Sequence, residues 1–175
     1  MPQLIRPTTR LHRAWLESLD EWGRHVHQDG SGLRPDDLVE SADGFAAWIA
    51  RQHAEEDVTI PAEPERVHCT YRWMVEGDRV LGAISLRHEL NDFLFRVGGH
   101  IGYGVRPSER RRGLAGWAVG EMLVIARDLG LDRVLITCDV GNVASARTIE
   151  KSGGVFEDIR SGDGYTVRRY WIDIP

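Results

Sequence analysis

The chain has 175 residues and a formal net charge of -5, with 42% hydrophobic and 28% charged residues. This length and ordinary globular balance predict a single domain over residues 1–175 with a sizeable core. The acidic balance argues against a general affinity for nucleic acid, and no apolar run approaches the roughly 20 residues of a membrane span. Cys69 and Cys138 stand in strand-like runs without disulfide or metal-site spacing, so we expect buried thiols. The N-terminus lacks the apolar core of a signal peptide, which favours a cytoplasmic location.

The N-terminal third of the chain predicts mainly helix. Residues 3–6 form a short strand candidate that ends at Pro7. Apolar residues recur at helical spacing from Leu11 to about His27, which predicts an amphipathic helix. After a glycine-rich loop, Ser41 provides an N-cap for a second helix. Two prolines in residues 60–64 indicate a connection to the part of the chain where the pattern becomes extended.

The rest of the chain combines strands with two further helices. The predicted strands cover residues 67–75, 80–86, 98–105, 134–138, 155–159 and 165–174, and the predicted helices cover residues 114–129 and 145–152. Short turns join the first two and the last two of these strands, which predicts antiparallel hairpins. A strand, a helix and a strand follow one another between residues 98 and 138, which predicts a parallel pair. The expected fold class is α/β, with a mixed, mostly antiparallel sheet, a central parallel pair and helices on both faces.

The turn between the strand at 98–105 and the next helix carries the most informative motif. From Val105 to Ala115 it is V-R-P-S-E-R-R-R-G-L-A. Backbone N–H groups at the start of a helix are unpaired and carry the positive end of the helix dipole. Three arginines beside them, and a glycine that allows close approach, predict a cradle for a pyrophosphate. The alternative is a solvated, arginine-rich turn. A Walker P-loop and the G-x-G-x-x-G dinucleotide fingerprint are both absent from this junction.

The same turn contains the pattern Arg110-x-x-Gly113-x-Ala115, and a second segment, N-V-A-S-A-R-T-I-E-K-S-G-G from Asn142 to Gly154, follows the next predicted strand. The first resembles the motif Q/R-x-x-G-x-G/A of the GCN5-related N-acetyltransferase (GNAT) family. The second is similar to the N-x-x-S…E-K-x-G-F stretch of the same family. The resemblance covers about residues 67–160. It implies the acyl-CoA acyltransferase fold of this family, with acetyl-CoA as the cofactor.

The resemblance also implies which residues hold the cofactor. The strand up to Val105 would bind the pantetheine arm through its backbone, and an N–H near Tyr103 or Gly104 would polarise the thioester carbonyl. Glycines leave room for a ligand along a strand, although Gly102 and Gly104 equally could ease sheet packing. The pyrophosphate would lie on Arg110, Arg111, Arg112, Gly113, Leu114 and Ala115, and the pantetheine arm would contact Asn142 and Ser145.

Transfer of an acyl group from a thioester to an amine requires a base for the ammonium and benefits from an acid for the departing thiolate. Relatives often carry a carboxylate base near the start of the motif strand, and we take Glu89, which closes the preceding strand, and His100, which begins the motif strand, as the candidate bases. Many relatives carry the acid as a tyrosine seven positions after the motif asparagine, but here that position is Ile149. Tyr165, Tyr170 or bulk water could replace it, and we take Tyr165 as the candidate acid.

The sequence defines the binding site of the acceptor amine less sharply than that of acetyl-CoA. The two N-terminal helices wall the acceptor site in this family, and their region carries Asp20, Glu21, Asp36 and Asp37. Acidic groups at an entrance would favour a cationic amine, and the alternative is that they are ordinary surface residues. The polar stretch at residues 87–92 either lines the acceptor pocket or is a solvated loop.

The resulting hypothesis is an N-acetyltransferase that moves the acetyl group of acetyl-CoA to a primary amine by direct attack in a ternary complex. The acceptor would be a small molecule or a peptide, and the protein would be a monomer or a homodimer. A non-catalytic acyl-CoA-binding module is the alternative that Ile149 suggests. A nucleic-acid-binding domain using the three arginines is a third, which the net charge and the lack of a second basic or aromatic patch disfavour.

Overall fold

The computed structural model describes all 175 residues of the chain. Its strands and α-helices are, in chain order, β1 Gln3–Ile5, α1 His12–Trp22, α2 Ala42–Glu56, β2 Cys69–Glu76, β3 Arg79–Arg87, β4 Ile101–Val105, α3 Leu114–Asp128, β5 Arg133–Asp139, α4 Val143–Lys151, β6 Val155–Gly162 and β7 Tyr165–Asp173. Short 3-10 turns cover Thr9–Leu11 and Pro107–Glu109, and a π turn covers Leu94–Gly98. None of the helices is both long and apolar enough to cross a bilayer.

All seven strands form one sheet in the order β1-β2-β3-β4-β5-β7-β6. Every neighbouring pair is antiparallel except β4 and β5, which are parallel. The predicted mixed, mostly antiparallel sheet with a central parallel pair is therefore confirmed. The parallel pair is short: it has the single register position Ile101↔Ile136, whereas β5 pairs with β7 from Arg133 to Asp139. Beyond Ile101, β4 and β5 separate, and the sheet is open between their carboxyl halves.

Helices cover both faces of the sheet, as the sequence predicts. On one face, α3 and α4 bury their apolar stripes against alternate residues of the strands, among them Ile84, Ile101 and Ile136. On the other face, α1 and α2 pack an aromatic cluster onto Trp73 of β2. The cluster consists of Trp15, Phe45, Trp48 and Trp73, with ring centroids 4.6 to 6.1 Å apart along its contacts. Both cysteines are buried and free, as expected.

The long connection between α1 and α2 departs from the prediction. The expected helix to about His27 is wrong, because α1 ends at Trp22 and Gly23 follows with φ of 94°, which breaks the helix. Residues 23–41 form a loop that folds back onto the sheet. The predicted cap of the second helix is confirmed, since the Ser41 hydroxyl accepts a hydrogen bond from the Gly44 N–H at 3.0 Å.

The connection between β3 and β4 also differs from the expected loop and strand. The predicted strand start at Gly98 is wrong, because the chain forms the π turn there and Gly99 has φ of 70°. A fully buried arginine on β7 holds this turn against the sheet. Arg169 donates to Glu157 at 2.6 Å, to Asp158 at 2.7 Å and to the carbonyl of Phe95 at 2.9 Å. Its charge is buried but paired, which is the condition for burying an arginine.

Candidate functional site

A cleft opens where β4 and β5 separate, at the carboxyl ends of the two strands. Helices α3 and α4 begin at this same edge, because each follows one of the two strands directly. Both helix N-termini therefore direct the positive end of a helix dipole to one region, and α3 adds N–H groups that have no helical acceptor. This arrangement favours an anionic ligand.

The edge of β4 that faces the cleft has free backbone groups. The Arg106 N–H donates to the Leu81 carbonyl of β3 at 2.8 Å. Because backbone groups alternate sides along a strand, Tyr103 and Val105 direct their N–H and C=O groups away from β3 and toward β5. No strand pairs with them there. One of these carbonyls is used locally, since the Arg110 Nε–H donates to the Val105 oxygen at 3.2 Å.

The turn before α3 is open at the position of its glycine. Gly113 has φ of 76°, and a Cβ placed on it would have no atom within 4 Å. The first helical hydrogen bond runs from the Trp117 N–H to the Gly113 carbonyl at 3.0 Å, so the N–H groups of residues 114–116 have no helical acceptors. Leu114 anchors the helix start in the core, and Ala115 adds little bulk at the mouth. Such a turn can admit a pyrophosphate close to its backbone.

The three arginines of the motif have different surroundings. Arg112 forms ion pairs with Glu109 and, at 3.1 Å, with Glu76, so its guanidinium stabilises the turn. Arg110 lies over the ring of Trp22 with 5.0 Å between the guanidinium carbon and the ring centroid. Arg111 is exposed, has φ of 62° and forms no ion pair. Arg110 and Arg111 are therefore the arginines with charge available for a phosphate, and Arg112 as a cofactor contact stays a prediction.

Helix α1 is fastened to this turn by Glu21. Its carboxylate accepts hydrogen bonds from the Arg106 Nε–H and the Ser108 N–H, both at 2.5 Å, and from the Ser108 hydroxyl at 3.1 Å. Burial alone would raise the pKa of Glu21, but these hydrogen bonds outweigh it and hold the pKa below its ordinary value. The carboxylate is therefore ionised at neutral pH and joins α1 to the motif turn.

Other carboxylates of the N-terminal region are also paired with arginines. Asp20 binds Arg24 at 2.7 Å, and Asp37 binds Arg51 at 2.5 Å. These two, like Glu21, hold the local fold instead of forming a free acidic entrance. Asp36 is exposed on the same loop. Neither a free acidic entrance nor a set of unpaired surface acids describes Asp20, Glu21 and Asp37, because each of the three pairs with an arginine.

The helical face of the cleft carries Tyr103 and Ser145. The Tyr103 hydroxyl hydrogen-bonds the Ser145 hydroxyl at 2.8 Å, and Asn142 caps α4 by accepting from the Ser145 N–H at 3.1 Å. Burial raises the pKa of Tyr103 to about 12, so its phenol is protonated at neutral pH. Ile149, at the position where relatives carry a tyrosine, is fully buried in the core between α4 and the sheet.

On the opposite face, the loop at residues 23–41 lies directly on β3 and β4. A Cβ on Gly30 would stand 2.6 Å from the Gly102 carbonyl oxygen and 2.8 Å from the Ala83 carbonyl oxygen. A Cβ on Gly104 would stand 2.9 Å from the Asp29 carbonyl oxygen. The glycines of β4 thus admit the chain's own loop on this face, which is a packing reason for their presence.

Three polar side chains belong to this loop or lie beside it, and those of His27 and Asp29 are largely exposed. The His27 Nε2–H donates to the Asp29 carboxylate at 3.1 Å. That hydrogen bond raises the pKa of His27, against the opposing effects of burial and of the Arg87 charge. Arg87 Nη1 lies 3.5 Å from the point that a Cβ on Gly102 would occupy. The sequence pattern did not single out His27 and Asp29, because His27 falls at the end of the predicted first helix. Gly23 was the signal in the sequence that this helix ends earlier.

The candidate catalytic residues from the sequence lie in separate surroundings. Glu89 is exposed after β3, and Tyr165 is exposed at the start of β7, where its ring contacts Phe93 at 6.3 Å. His100 is buried and accepts the Leu135 N–H at 2.8 Å on its Nδ1. Burial, reinforced by Arg87, lowers the pKa of His100 to about 4. No hydrogen bond or ring contact joins any two of Glu89, His100 and Tyr165, and their catalytic roles stay predictions.

Solved structures with the same fold are acetyltransferases. yncA, a putative acetyltransferase from Salmonella typhimurium solved with its cofactor acetyl-CoA, has a TM-score of 0.63 at 14% identity, over 99% of this chain and 94% of that one. The microcin C7 self-immunity acetyltransferase MccE, in complex with acetyl-CoA and AMP, has a TM-score of 0.70 at 15% identity, over 99% and 92%. An acetyltransferase from Salmonella typhimurium that modifies the N-terminal serine of the ribosomal protein L7/L12 has a TM-score of 0.67 at 15% identity, over 99% and 95%.

These similarities establish the fold, and the sequence itself establishes the family. No curated protein sequence matches the chain significantly. Residues 4–155 match the family profile described as an acetyltransferase (GNAT) domain, which spans most of the chain and includes both motifs singled out above. The chain therefore belongs to the GNAT acetyltransferase family.

Proposed function

We propose that this protein is an N-acetyltransferase that transfers the acetyl group of acetyl-CoA to a primary amine by direct attack in a ternary complex. The observation that carries the proposal is the opening between β4 and β5, into which two helix N-termini and the free backbone of β4 all point. The family match and the acetyl-CoA complexes of two structural neighbours support acetyl-CoA as the donor.

The residues around the cleft fit this donor. Gly113 leaves space at the helix start, and Arg111 and Arg110 supply charge for the pyrophosphate. The free N–H and C=O groups of Tyr103 and Val105 suit the amides of the pantetheine arm. When bound, acetyl-CoA supplies an acetyl group that is activated as a thioester. Helix and strand backbone can hold it without a covalent bond to the protein.

We assign the general base to His27, oriented by Asp29. An alkylammonium has a pKa near ~10.4 and must lose a proton before it can attack. His27 donates its Nε2–H to Asp29, so its Nδ1 is the nitrogen free to accept that proton. His100 is a poorer base because its Nδ1 already accepts a backbone N–H and its pKa is lowered. The His27 loop lies over β4, on the face opposite α3 and α4.

We assign the general acid to Tyr103. The departing thiolate needs a proton, and Ile149 has none to give. The Tyr103 phenol is protonated, half-buried and hydrogen-bonded to Ser145 at the first turn of α4, beside the edge of the cleft. Tyr170, which the sequence also offered as an acid, donates to Glu150 at 3.2 Å and is fully buried. Tyr103, which lies on β4, therefore takes the role of the tyrosine that relatives carry at the position of Ile149.

The first test separates an enzyme from a binding module. Purified protein is incubated with acetyl-CoA and a panel of primary amines that includes amino acids, polyamines and peptides, and free CoA is measured by a thiol assay. We expect amine-dependent release of CoA and an acetylated product by mass spectrometry. Binding of CoA in calorimetry without turnover of any amine would favour the non-catalytic module instead.

The second test addresses the anion site. We expect Arg111→Glu to weaken CoA binding by about an order of magnitude or more, because it replaces an available cation at the open turn with a like charge. Arg127→Glu is the matched control, since Arg127 is an exposed arginine at the other end of α3. Isothermal titration with CoA measures both. Equal affinities in the two folded variants would contradict the assignment.

The third test addresses the base. A base must be neutral to accept a proton, so kcat/KM should rise with pH through the pKa of His27. Asp29 raises that pKa, and Asp29→Asn should therefore lower it and shift the acid limb of the profile to lower pH. An NMR titration of His27 in both proteins gives the same shift independently of turnover. An unchanged acid limb would assign the base elsewhere, with Glu89 as the next variant to examine.

The fourth test addresses the acid. Tyr103→Phe removes the phenolic proton and keeps the ring, and we expect kcat to fall by roughly 10²-fold. Tyr165→Phe makes the same chemical change at the exposed candidate of β7. Single-turnover rates with saturating acetyl-CoA compare the two. If the rate fell only in Tyr165→Phe, Tyr165 would be the general acid instead of Tyr103.

A further inference from the structure

His100 stands where the parallel pairing of β4 and β5 begins. It directly precedes β4, and the single register position of the pair, Ile101↔Ile136, comes immediately after it. Only 5% of the His100 surface is exposed, and Leu135, which faces it on β5, is fully buried. Polar groups at this place must therefore find their partners within the protein.

His100 binds both backbone groups of Leu135. The His100 N–H donates to the Leu135 carbonyl at 2.7 Å, and the Leu135 N–H donates to Nδ1 of the His100 ring at 2.8 Å. The first contact is a backbone hydrogen bond between two neighbouring segments. In the second, a side-chain nitrogen accepts the hydrogen bond that a parallel partner strand accepts with a backbone carbonyl.

The course of the chain explains why a side chain provides this acceptor. Gly99, the residue before His100, has φ of 70°, so the backbone leaves the extended conformation there. A Cβ on Gly99 would stand 2.9 Å from the Leu135 carbonyl oxygen, which shows that the turn lies directly against β5. The ring of His100 thus continues the pairing with β5 at the point where the β4 backbone turns away.

The cleft begins just beyond this contact. After Ile101 no ladder joins β4 to β5, and Tyr103 and Val105 direct their backbone groups into the opening. On their outer sides the two strands are held by the antiparallel ladders with β3 and β7. The pairing at His100 and Ile101 is therefore the joint between two rigid halves of the sheet, and its geometry determines how far apart the walls of the cleft stand.

We propose that His100 is a positioning residue for the cofactor: its Nδ1 closes the narrow end of the cleft and so fixes the separation of β4 and β5 at which acetyl-CoA binds. This inference rests on the proposed acetyl transfer for the identity of the cofactor. It gives His100 a role different from that of the candidate base suggested by the sequence.

The proposed role requires one protonation state of the ring. Nδ1 accepts a hydrogen bond only when it carries no proton, so the proton of the neutral ring must be on Nε2. Burial, reinforced by the Arg87 charge, lowers the pKa of His100 to about 4, which keeps the ring neutral at neutral pH. Nitrogen shifts of His100 in NMR spectra of the ligand-free protein should therefore show the Nε2–H tautomer. The Nδ1–H tautomer would overturn the proposal.

Two variants of similar shape isolate the hydrogen bond. Oδ1 of asparagine lies as many bonds from Cα as Nδ1 of histidine does, so His100→Asn keeps an acceptor, whereas His100→Leu removes it. We expect the CoA affinity of His100→Asn, measured by isothermal titration, to stay within about 3-fold of the wild-type value. In His100→Leu it should fall by about 10-fold or more, because the Leu135 N–H loses its partner and the joint relaxes.

Steady-state kinetics distinguish positioning from catalysis. Neither asparagine nor leucine can act as a base, so a catalytic His100 would give the same large loss of kcat in both variants. A positioning His100 gives a kcat within about 3-fold of wild type in His100→Asn, and the loss in His100→Leu is mainly a higher KM for acetyl-CoA.

His12→Leu is the matched control for fold stability. The His12 ring also makes one hydrogen bond to the backbone, to the Val39 carbonyl at 2.7 Å, and it stacks on Phe45 on the opposite face of the sheet. Thermal unfolding is measured for every variant, so that affinities are compared in folded proteins. His12→Leu should lower the unfolding midpoint and leave CoA affinity unchanged.

The outcomes separate this proposal from the proposed function. CoA affinity in folded His100→Leu equal to that of the wild type would overturn it, because His100 would then serve only the fold. Normal CoA binding with lost turnover in His100→Asn would also overturn it and make His100 the base. If His100→Leu does not fold, His100→Asn decides, and a CoA affinity reduced by 10-fold or more there would count against the proposal. CoA binding without turnover of any amine would overturn the proposed function alone, since the positioning role is measured by CoA affinity.

Discussion

The rest of the site depends on the separation of β4 and β5. Neighbouring strands in a sheet satisfy each other's backbone groups, and an interruption in that pairing is costly unless something else binds there. Here the interruption is in the middle of a seven-stranded sheet, because a single register position joins the only parallel pair. The antiparallel partners on either side, β3 and β7, keep their full ladders. The opening is therefore rigid on both sides, and the two helices that follow its strands must start at its mouth.

Helix α1 connects the turn before α3 to the loop that lies on the opposite face of β4. Glu21 binds the backbone and side chains of the turn that precedes α3, and Trp22 stacks on Arg110 of the same turn. Helix α1 then ends before Gly23, and the loop that follows places Asp29 and Gly30 against the other face of β4. Fewer than ten residues thus link the turn before α3, where we propose that the pyrophosphate binds, to the face of β4 that we propose as the acceptor side. Binding of the donor at Arg110 and Arg111 would act on the element that carries His27, without any contact through the core.

The sequence predicts the features of this site that depend on local pattern. The strand–helix–strand unit around Gly113 and the short helix after the next strand follow from periodicity and spacing, and both are present. Features that depend on tertiary packing could not be predicted from periodicity and spacing. Arg112 looks equivalent to Arg111 in the sequence, but Glu76 of a distant hairpin pairs with it. The loop at 23–41 could not be placed, because its position is set by glycine contacts between segments about 70 residues apart.

The substitution at position 149 has a structural reason that also bears on the chemistry. α4 is short, and its buried residues Ala146 and Ile149 pack its one apolar stripe on the sheet. A Cβ on Gly154 would stand 2.5 Å from the Ile149 side chain, so the chain after the helix already lies against it. Because Ile149 is fully buried, the larger ring of a tyrosine would require its neighbours to shift. In the proposed mechanism the proton donor therefore comes from an element that reaches the same edge of the cleft, and β4 is the strand that forms that edge. Its side chains alternate between the two faces, so Tyr103 is directed to α4 while Gly102 and Gly104 leave the opposite face free for the loop.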